Sequence, residues 1–174
     1  MIAIGQRLPT VRADALWPDG SIAPLDLDAW RRDHWLVLFF YPLDFTFVCP
    51  TEIRGFAALH QRFAASGVRV VGASIDSAYA HRAWCRTELG ALPFPLLADV
   101  DRALAGACGV LAPEGFAQRA TLIADPDGIV QSVTATASQV GRSAQETLRQ
   151  VQALQAGGLA PCDWQPGQPL LQAA

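Results

Sequence analysis

The sequence contains no lysine and no asparagine, so all 13 of its basic residues are arginine. Without lysine, the chain can neither form a Schiff base nor supply the lysine of a phosphate-binding loop. Without asparagine, it has no N-glycosylation site. Its net charge of −3 at pH 7 provides no basic surface for nucleic acid and no polybasic patch for a membrane. We therefore expect neither nucleic acid nor a membrane among its partners.

Long apolar runs are also missing. The longest, residues 35–41, falls far short of the roughly 20 residues that a membrane-spanning helix needs. The N-terminal segment has neither the apolar length nor the residue order of a secretory signal. We therefore expect a soluble, cytoplasmic protein. With 51% hydrophobic and 17% charged residues, the 174 residues predict one folded domain spanning 1–174.

Cysteines and histidines are few, and they lack the spacings of metal sites. The four cysteines are Cys49, Cys85, Cys108 and Cys162, and no Cys-x-x-Cys or His-x-x-x-His occurs. Only His81 and Cys85 stand one helical turn apart, and nothing nearby supplies further ligands. We therefore expect no metal, and no haem or flavin is implied. In a reducing cytoplasm the four cysteines are also not expected to form a permanent disulfide framework.

Strand and helix patterns alternate along the chain. Apolar segments predict strands at 35–41, 68–75 and 94–98, and a hairpin of 121–124 and 129–135. Apolar residues at helical spacing predict helices at 50–65, 77–88, 102–108 and 143–155. This order predicts an α/β fold whose sheet is made mixed by the hairpin. The tail, 157–174, has no periodicity but is too apolar for a linker, so we expect it to dock on another surface.

The segment around Cys49 carries the clearest chemical signal. Cys49 follows a buried strand and begins a predicted helix, with Pro50 suited to the first helical position. The unpaired N–H groups and partial positive charge of a helix start favour a thiolate over a thiol. Thr46 lies three residues earlier, where its hydroxyl can bond the sulfur or an oxygen that approaches the sulfur. Alternatively, it caps the helix. Pro42 stiffens the start of this loop and lacks an N–H.

The histidines do not supply an obvious base for this cysteine. His60 lies too far along the same predicted helix and is expected to be a partly buried core residue. His34 precedes a strand and is expected at the surface, while nothing around His81 requires it to approach Cys49. Without a base, a cysteine–histidine hydrolase is disfavoured. A thiolate activated by a helix start and an arginine fits redox attack better.

The run FYPLDFTFVCPTE at 40–52 contains Pro42-x-x-x-Thr46-x-x-Cys49, which resembles the active-site signature of peroxiredoxins. The longer run resembles the typical two-cysteine subgroup, which includes the peroxidase subunits of bacterial alkyl hydroperoxide reductases. The similarity continues in segments such as SIDS at 74–77, HRAW at 81–84 and RATLIAD at 119–125, and it covers about residues 5–170. It implies a thioredoxin-like fold, with a central mixed sheet flanked by helices. It also implies edge-to-edge homodimers, often assembled into a decameric ring of five dimers.

The resemblance also implies roles for the site residues. Cys49 is the peroxidatic cysteine, whose thiolate attacks a peroxide to give a sulfenic acid and water or an alcohol. Thr46 orients the peroxide, and Arg119 stabilises the thiolate and the charge that develops across the O–O bond. Four further residues match positions of the family's active site: Pro42, Glu52, Trp84 and Arg142. Glu52 and Arg142 match a charge pair that holds Arg119 in place. From the residues alone, Arg119 and Arg142 would also fit ordinary ion pairs.

By the same resemblance, Cys162 is the resolving cysteine. It lies in the tail that would dock on a partner subunit, and it would form an intersubunit Cys49–Cys162 disulfide. Here Pro161 precedes it and Asp163 follows it, unlike the family pattern, and the joining segment 156–161 is short, so its reach stays open. A spare tail thiol is the alternative interpretation of Cys162. Cys85 and Cys108 lie on helical patterns and are expected to be core residues.

The substrates implied are hydrogen peroxide and alkyl hydroperoxides, in antioxidant defence and redox homeostasis. The implied electron donor is thioredoxin or a flavoprotein disulfide reductase. The Gly-Gly-Leu-Gly insertion and the Tyr-Phe extension of peroxide-sensitive members are absent, which predicts resistance to over-oxidation. Two alternatives stay open: a thioredoxin-like thiol-disulfide oxidoreductase, disfavoured by the missing Cys-x-x-Cys, and a chaperone holdase.

Overall fold

The computed structural model describes residues 1–172, which form one seven-stranded sheet with helices packed on it. The strands are β1 (Arg12–Leu16), β2 (Ile22–Asp26), β3 (Trp35–Phe40), β4 (Val68–Ser74), β5 (Leu96–Ala98), β6 (Arg119–Ala124) and β7 (Val130–Thr136). The helices are α1 (Leu27–Arg31), α2 (Cys49–Ala58), α3 (His60–Ala65), α4 (Ala78–Trp84), α5 (Ala103–Ala107) and α6 (Ala144–Gln155). A π-helical turn, Cys85–Leu89, extends α4.

The sheet is mixed, with strand order β2-β1-β5-β4-β3-β6-β7. Strands β3, β4 and β5 pair in parallel, and the other pairs are antiparallel. Strand β3 lies between β4 and β6, which explains its unbroken apolar sequence, because a central strand in such a sheet is buried on both faces. The predicted mixed α/β sheet is confirmed.

Successive residues of β3 point to opposite faces of the sheet and enter two separate apolar cores. One core contains Leu36, Leu38 and Phe40. The other contains Val37, Phe39, helix α2 and Cys49. The candidate cysteine therefore lies inside a packed core rather than on an open surface.

Several elements differ from the prediction. The predicted helix 50–65 is two helices, α2 and α3, which are separated at Leu59. The predicted helix 77–88 is α-helical only to Trp84 and continues as the π-helical turn. Strands β1 and β2 were not predicted, because β1 is short and partly polar and β2 is an edge strand that contains Pro24.

The tail packs partly on its own chain. Trp164 is buried, and Arg149 Nη1 on α6 donates a hydrogen bond of 3.1 Å to its carbonyl. Leu159 and Leu171 form an isolated antiparallel bridge. Docking of the tail on a partner subunit stays a prediction, and the last two residues of the predicted segment 157–174 lie outside the described residues. Within residues 1–172, no helix has the length and apolar character needed to span a membrane.

Candidate active site

Cys49 is the first residue of α2, and the loop 41–48 joins it to the carboxyl end of β3. Pro50 occupies the first turn, and Cys49 is 0% exposed. The helix N-cap is Val48, which makes no side-chain capping bond. Thr46 does not cap the helix either, and its Oγ1 instead donates to the carbonyl of Leu43 at 2.9 Å. The sulfur therefore lies at the positive end of the helix dipole, although the backbone N–H groups of Thr51 and Glu52 already donate to the carbonyl of Val48.

Arg119, the first residue of β6, lies against the sulfur. Its Nη1 donates a hydrogen bond to Cys49 Sγ at 3.2 Å and another to Glu52 Oε2 at 2.6 Å, while its Nε donates to the carbonyl of Ser138 at 2.5 Å. The side chain is buried, so its charge acts on the sulfur with little screening by water. This arrangement stabilises a negatively charged sulfur at Cys49.

Glu52 connects Arg119 with a second buried arginine. The backbone N–H, Nε and Nη2 of Arg142 donate to the Glu52 carboxylate at 2.7, 2.8 and 3.2 Å. Burial disfavours the charged carboxylate, but the hydrogen bonds and charge of Arg142, together with the charge of Arg119, outweigh burial and lower the pKa of Glu52. Glu52 thus fixes the guanidinium group that reaches Cys49. We call Glu52, Arg119 and Arg142 the arginine network.

Thr121 belongs to the same environment but was missed by the sequence reasoning. Arg142 Nη1 donates to its Oγ1 at 3.0 Å, and the threonine is buried. The sequence could have indicated this residue, because Thr121 lies two positions after Arg119 on the same strand, and side chains two positions apart share a face of the sheet.

The loop 41–48 is also held from the side of α4. Pro42 and Trp84 are buried, and the Trp84 ring lies 5.8 Å from the ring of Phe45, measured between centroids. Trp84 Nε1 donates to Glu88 Oε2 at 2.8 Å. Beside it, His81 Nδ1 lies 2.8 Å from Asp44 Oδ2, a contact that sequence reasoning did not predict. Trp84 therefore supports the loop through packing and does not bond the sulfur.

The positions of the histidines do not support a cysteine–histidine hydrolase. His81 is fully buried and bonded to Asp44, and His34 Nδ1 contacts the carbonyl of Arg32 at 2.7 Å. His60 is half-buried, as expected, and burial lowers its pKa. Within the described chain none of the three forms a hydrogen bond with Cys49 Sγ, whose partner is Arg119.

The other cysteines differ sharply in their surroundings. Cys162 is exposed in the tail, and all four cysteines are free thiols in this conformation. Burial, with a smaller contribution from the charge of Asp44, raises the pKa of Cys85 to about 11. Burial, with the charge of Asp99, raises the pKa of Cys108 to about 12. Both thiols are therefore poor nucleophiles at neutral pH, in agreement with packing roles. Across residues 1–172, no group of three or more His, Cys, Asp or Glu residues is arranged to hold a metal ion.

Solved structures match this fold closely. A reduced 2-Cys peroxiredoxin from Plasmodium vivax aligns with a TM-score of 0.93 and 32% identity, covering 97% of this chain and 92% of that chain. AhpC from Mycobacterium bovis aligns with a TM-score of 0.87 and 39% identity, covering 95% and 99%. The thioredoxin-like fold is thus confirmed. Together with Cys49, which begins a helix and accepts a hydrogen bond from Arg119, this fold defines the class of protein as a thiol-dependent peroxidase.

Sequence comparison assigns the family. The AhpC/TSA family model matches residues 4–133. Alkyl hydroperoxide reductase C from Mycobacterium tuberculosis is 48% identical over 164 residues, which cover 93% of this chain and 84% of that protein. The putative peroxiredoxin YkuU from Bacillus subtilis is 39% identical over 175 residues, covering 97% of both chains. The chain belongs to the AhpC/TSA family of peroxiredoxins.

Proposed function

We propose that this peroxidase reduces hydrogen peroxide and alkyl hydroperoxides by a two-cysteine cycle, in which Cys49 is oxidised first and Cys162 of a partner subunit resolves it. The observation that carries the proposal is the 3.2 Å hydrogen bond from Arg119 Nη1 to Cys49 Sγ at a helix start. It places a buried positive charge where a thiolate and a peroxide oxygen would share negative charge.

In the first step, the Cys49 thiolate attacks the terminal peroxide oxygen. An S–O bond forms, the O–O bond breaks, and the sulfur loses two electrons to the peroxide. The leaving hydroxide or alkoxide takes up a proton, so the products are a sulfenic acid and water or an alcohol. Arg119 stabilises the charge that crosses the O–O bond, and Thr46, whose Oγ1 bonds the carbonyl of Leu43, orients the peroxide.

In the second step, the thiolate of Cys162 attacks the sulfenic sulfur, so that the S–S bond forms, the S–O bond breaks, and the leaving hydroxide takes up a proton to give water. Cys49 is fully buried and Cys162 is exposed, so the first turn of α2 must open before the two sulfurs meet. Neither a side-chain cap at Val48 nor burial of the adjacent Phe47, which is 95% exposed, opposes this opening.

A homodimer supplies the second sulfur. Strand β7 is an edge of the sheet, so β7 strands of two copies can pair and continue it. The other edge, β2, contains Pro24, which cannot donate a backbone hydrogen bond there. The exposed apolar side chains of Phe45, Tyr79 and Val100 support a second contact, through which five dimers would form a ring.

The cycle closes when an external dithiol reduces the intersubunit disulfide. Thioredoxin and a flavoprotein disulfide reductase both supply the two electrons required, and we place the protein in the cytoplasm, where such donors keep thiols reduced. A thiol-disulfide oxidoreductase is the weaker candidate, because Arg119, not a second thiol, lies beside Cys49. Insulin reduction distinguishes these two activities.

The test treats reduced protein with about one equivalent of hydrogen peroxide and separates it on a non-reducing gel. The wild type and the matched control Cys85→Ser should give a band of dimer mass, and Cys49→Ser and Cys162→Ser should not. If the wild type stays monomeric on the gel while Cys49 is oxidised, Cys162 is not the resolving cysteine and the two-cysteine cycle is wrong.

A further inference from the structure

A second polar cluster holds the loop 41–48 through residues that follow β4 and lie on α4. We call Tyr41, Asp44, Asp76 and His81 the Asp44 clamp. Tyr41 Oη donates to Asp44 Oδ1 at 2.9 Å, and His81 Nδ1 lies 2.8 Å from Asp44 Oδ2. The backbone N–H of Asp44 donates to Asp76 Oδ2 at 2.9 Å. Both the side chain and the backbone of Asp44 are thus tied to other elements.

Three of the four clamp residues, Tyr41, Asp44 and His81, are buried, and Asp76 is half-buried. The side chains of His81 and Asp44 are 0% and 1% exposed. Asp76 is held in turn, because Ser74 Oγ donates to its Oδ2 at 2.8 Å. A buried carboxylate that loses one of its donors has no water to replace it, so the cluster favours a single geometry of the loop.

The residue after Asp44 shows that the loop is under constraint. Phe45 has φ of +55°, a left-handed conformation that is costly for a residue with a side chain. Such a conformation persists only where its surroundings impose it, and the clamp fixes the residue immediately before it. The direction of the chain through Phe45 then sets the position of Thr46, the next residue.

We propose that Asp44 and His81 are positioning residues of the peroxidase, which set the place of Thr46 in the loop before Cys49 by fixing the first half of that loop. This inference rests on the proposed function, because it concerns the step in which Thr46 orients a peroxide. The second half of the loop, from the exposed Phe47 onward, makes no hydrogen bond with the clamp, and in the proposed cycle it opens together with the first turn of α2.

Tyr41 contributes as a donor. Burial first, and then the nearby charge of Asp44, raises the pKa of its hydroxyl well above the usual value. The phenol therefore keeps its proton and can donate to the Asp44 carboxylate at any pH at which the enzyme works.

The test compares Asp44→Asn with Asp44→Ala. An asparagine oxygen can accept from Tyr41, and its amide can donate to His81 Nδ1 if the imidazole proton moves to Nε2, which lies 3.4 Å from the carbonyl of Leu97. We expect Asp44→Asn to keep the rate constant for oxidation of Cys49 by hydrogen peroxide within about threefold of wild type. We expect Asp44→Ala and His81→Ala to lower it about 10- to 100-fold, because a displacement of roughly 1 Å has effects of this size.

A second readout separates positioning from general damage. Disulfide formation after Cys49 is oxidised should change little in Asp44→Ala, because the opening turn lies outside the clamp. The matched control is Asp99→Ala, which removes another buried carboxylate, one that accepts from the N–H groups of Leu104 and Ala105 on α5. This control should keep the rate of Cys49 oxidation. If Asp44→Ala does not fold, Tyr41→Phe replaces it as the test, because this change removes one hydrogen-bond donor without creating a cavity. Tyr41→Phe should also slow the oxidation of Cys49.

Three results would overturn the inference. The first is an oxidation rate that is unchanged in Asp44→Ala or, where that variant does not fold, in Tyr41→Phe. The second is equal loss in Asp44→Asn and Asp44→Ala, which would assign the effect to charge instead of geometry. The third is a selective slowing of disulfide formation. A wild-type protein that does not reduce peroxide would instead refute the proposed function, so the two failures are distinguishable.

Discussion

Replacing Glu52 with glutamine removes one buried negative charge and leaves two buried guanidinium groups without their counterion. The lost carboxylate accepts from Arg119 Nη1 at 2.6 Å and from Arg142 at 2.7, 2.8 and 3.2 Å. Removing one partner of a buried ion pair costs about 3–5 kcal/mol, because the other charge stays buried and unpaired. This is a large share of a typical unfolding free energy of about 5–15 kcal/mol.

The magnitude translates into a measurable change of melting temperature. For a chain of this size, each 1 kcal/mol lowers the melting temperature by roughly 2–4 °C, so Glu52→Gln should melt roughly 6–20 °C below wild type. The assay is thermal unfolding followed by circular dichroism. Peroxide reduction by the folded variant should also slow, since Glu52 no longer fixes Arg119 against Cys49.

The matched control is Glu146→Gln. Glu146 pairs with Arg149 at 2.7 Å, but its side chain is 45% exposed, and such surface pairs contribute about 0–1 kcal/mol. The control should therefore melt within a few degrees of wild type. If Glu52→Gln is no less stable than Glu146→Gln, the arginine network does not carry the stability assigned to it.

Four further predictions concern the same site and the thiols. Arg119→Lys should slow peroxide reduction about 10²- to 10³-fold in stopped-flow assays, because an ammonium cannot bond Glu52 and the sulfur in the same geometry; an unchanged rate would exclude Arg119 from the chemistry. Folding lowers the pKa of Glu52, so its contribution to stability is complete above about pH 4.3, the usual pKa of an unfolded glutamate. That contribution is lost as the pH falls through the lower pKa of the folded state. The urea midpoints of wild type and Glu52→Gln should therefore converge on acidification. At pH 8, iodoacetamide should label the exposed Cys162 well before Cys85 and Cys108, whose pKa values are about 11 and 12; peptide mass mapping that finds equal labelling contradicts this. The peroxidase should keep its activity over many turnovers at a modest excess of peroxide, and rapid inactivation would show that the missing sequence insertions do not protect it.

The sequence predicted the central strands of the sheet better than strands β1 and β2. Strands β3 and β4 are nearly uniform apolar runs, and burial on both faces of a sheet is the simplest explanation of such runs. Strands β1 and β2 carry a weaker pattern, because β1 is short and partly polar and β2, at the edge of the sheet, tolerates Pro24. The break at Leu59 was not visible, because apolar residues continue at helical spacing on both sides of it.

The site was predicted to the extent that its residues belong to a recognisable motif. Cys49, Thr46 and Glu52 lie in one continuous segment, whereas Arg119 and Arg142 come from β6 and from the loop before α6. Only the resemblance to a family connected these distant positions, since nothing in their own spacing requires contact. The structure brings both arginines to Glu52.

The residues that sequence reasoning missed share a physical reason. Asp44 and His81 are 37 positions apart, and each alone is an ordinary polar residue whose burial cannot be read from its neighbours. Their contact depends on how α4 packs against β1 and β5, which is a tertiary property. Burying such groups costs free energy, and proteins retain that cost where geometry matters to function. In the mechanism proposed above, the movement that exposes the sulfur occurs around Phe47 and Val48, because these two residues belong to neither the arginine network nor the Asp44 clamp.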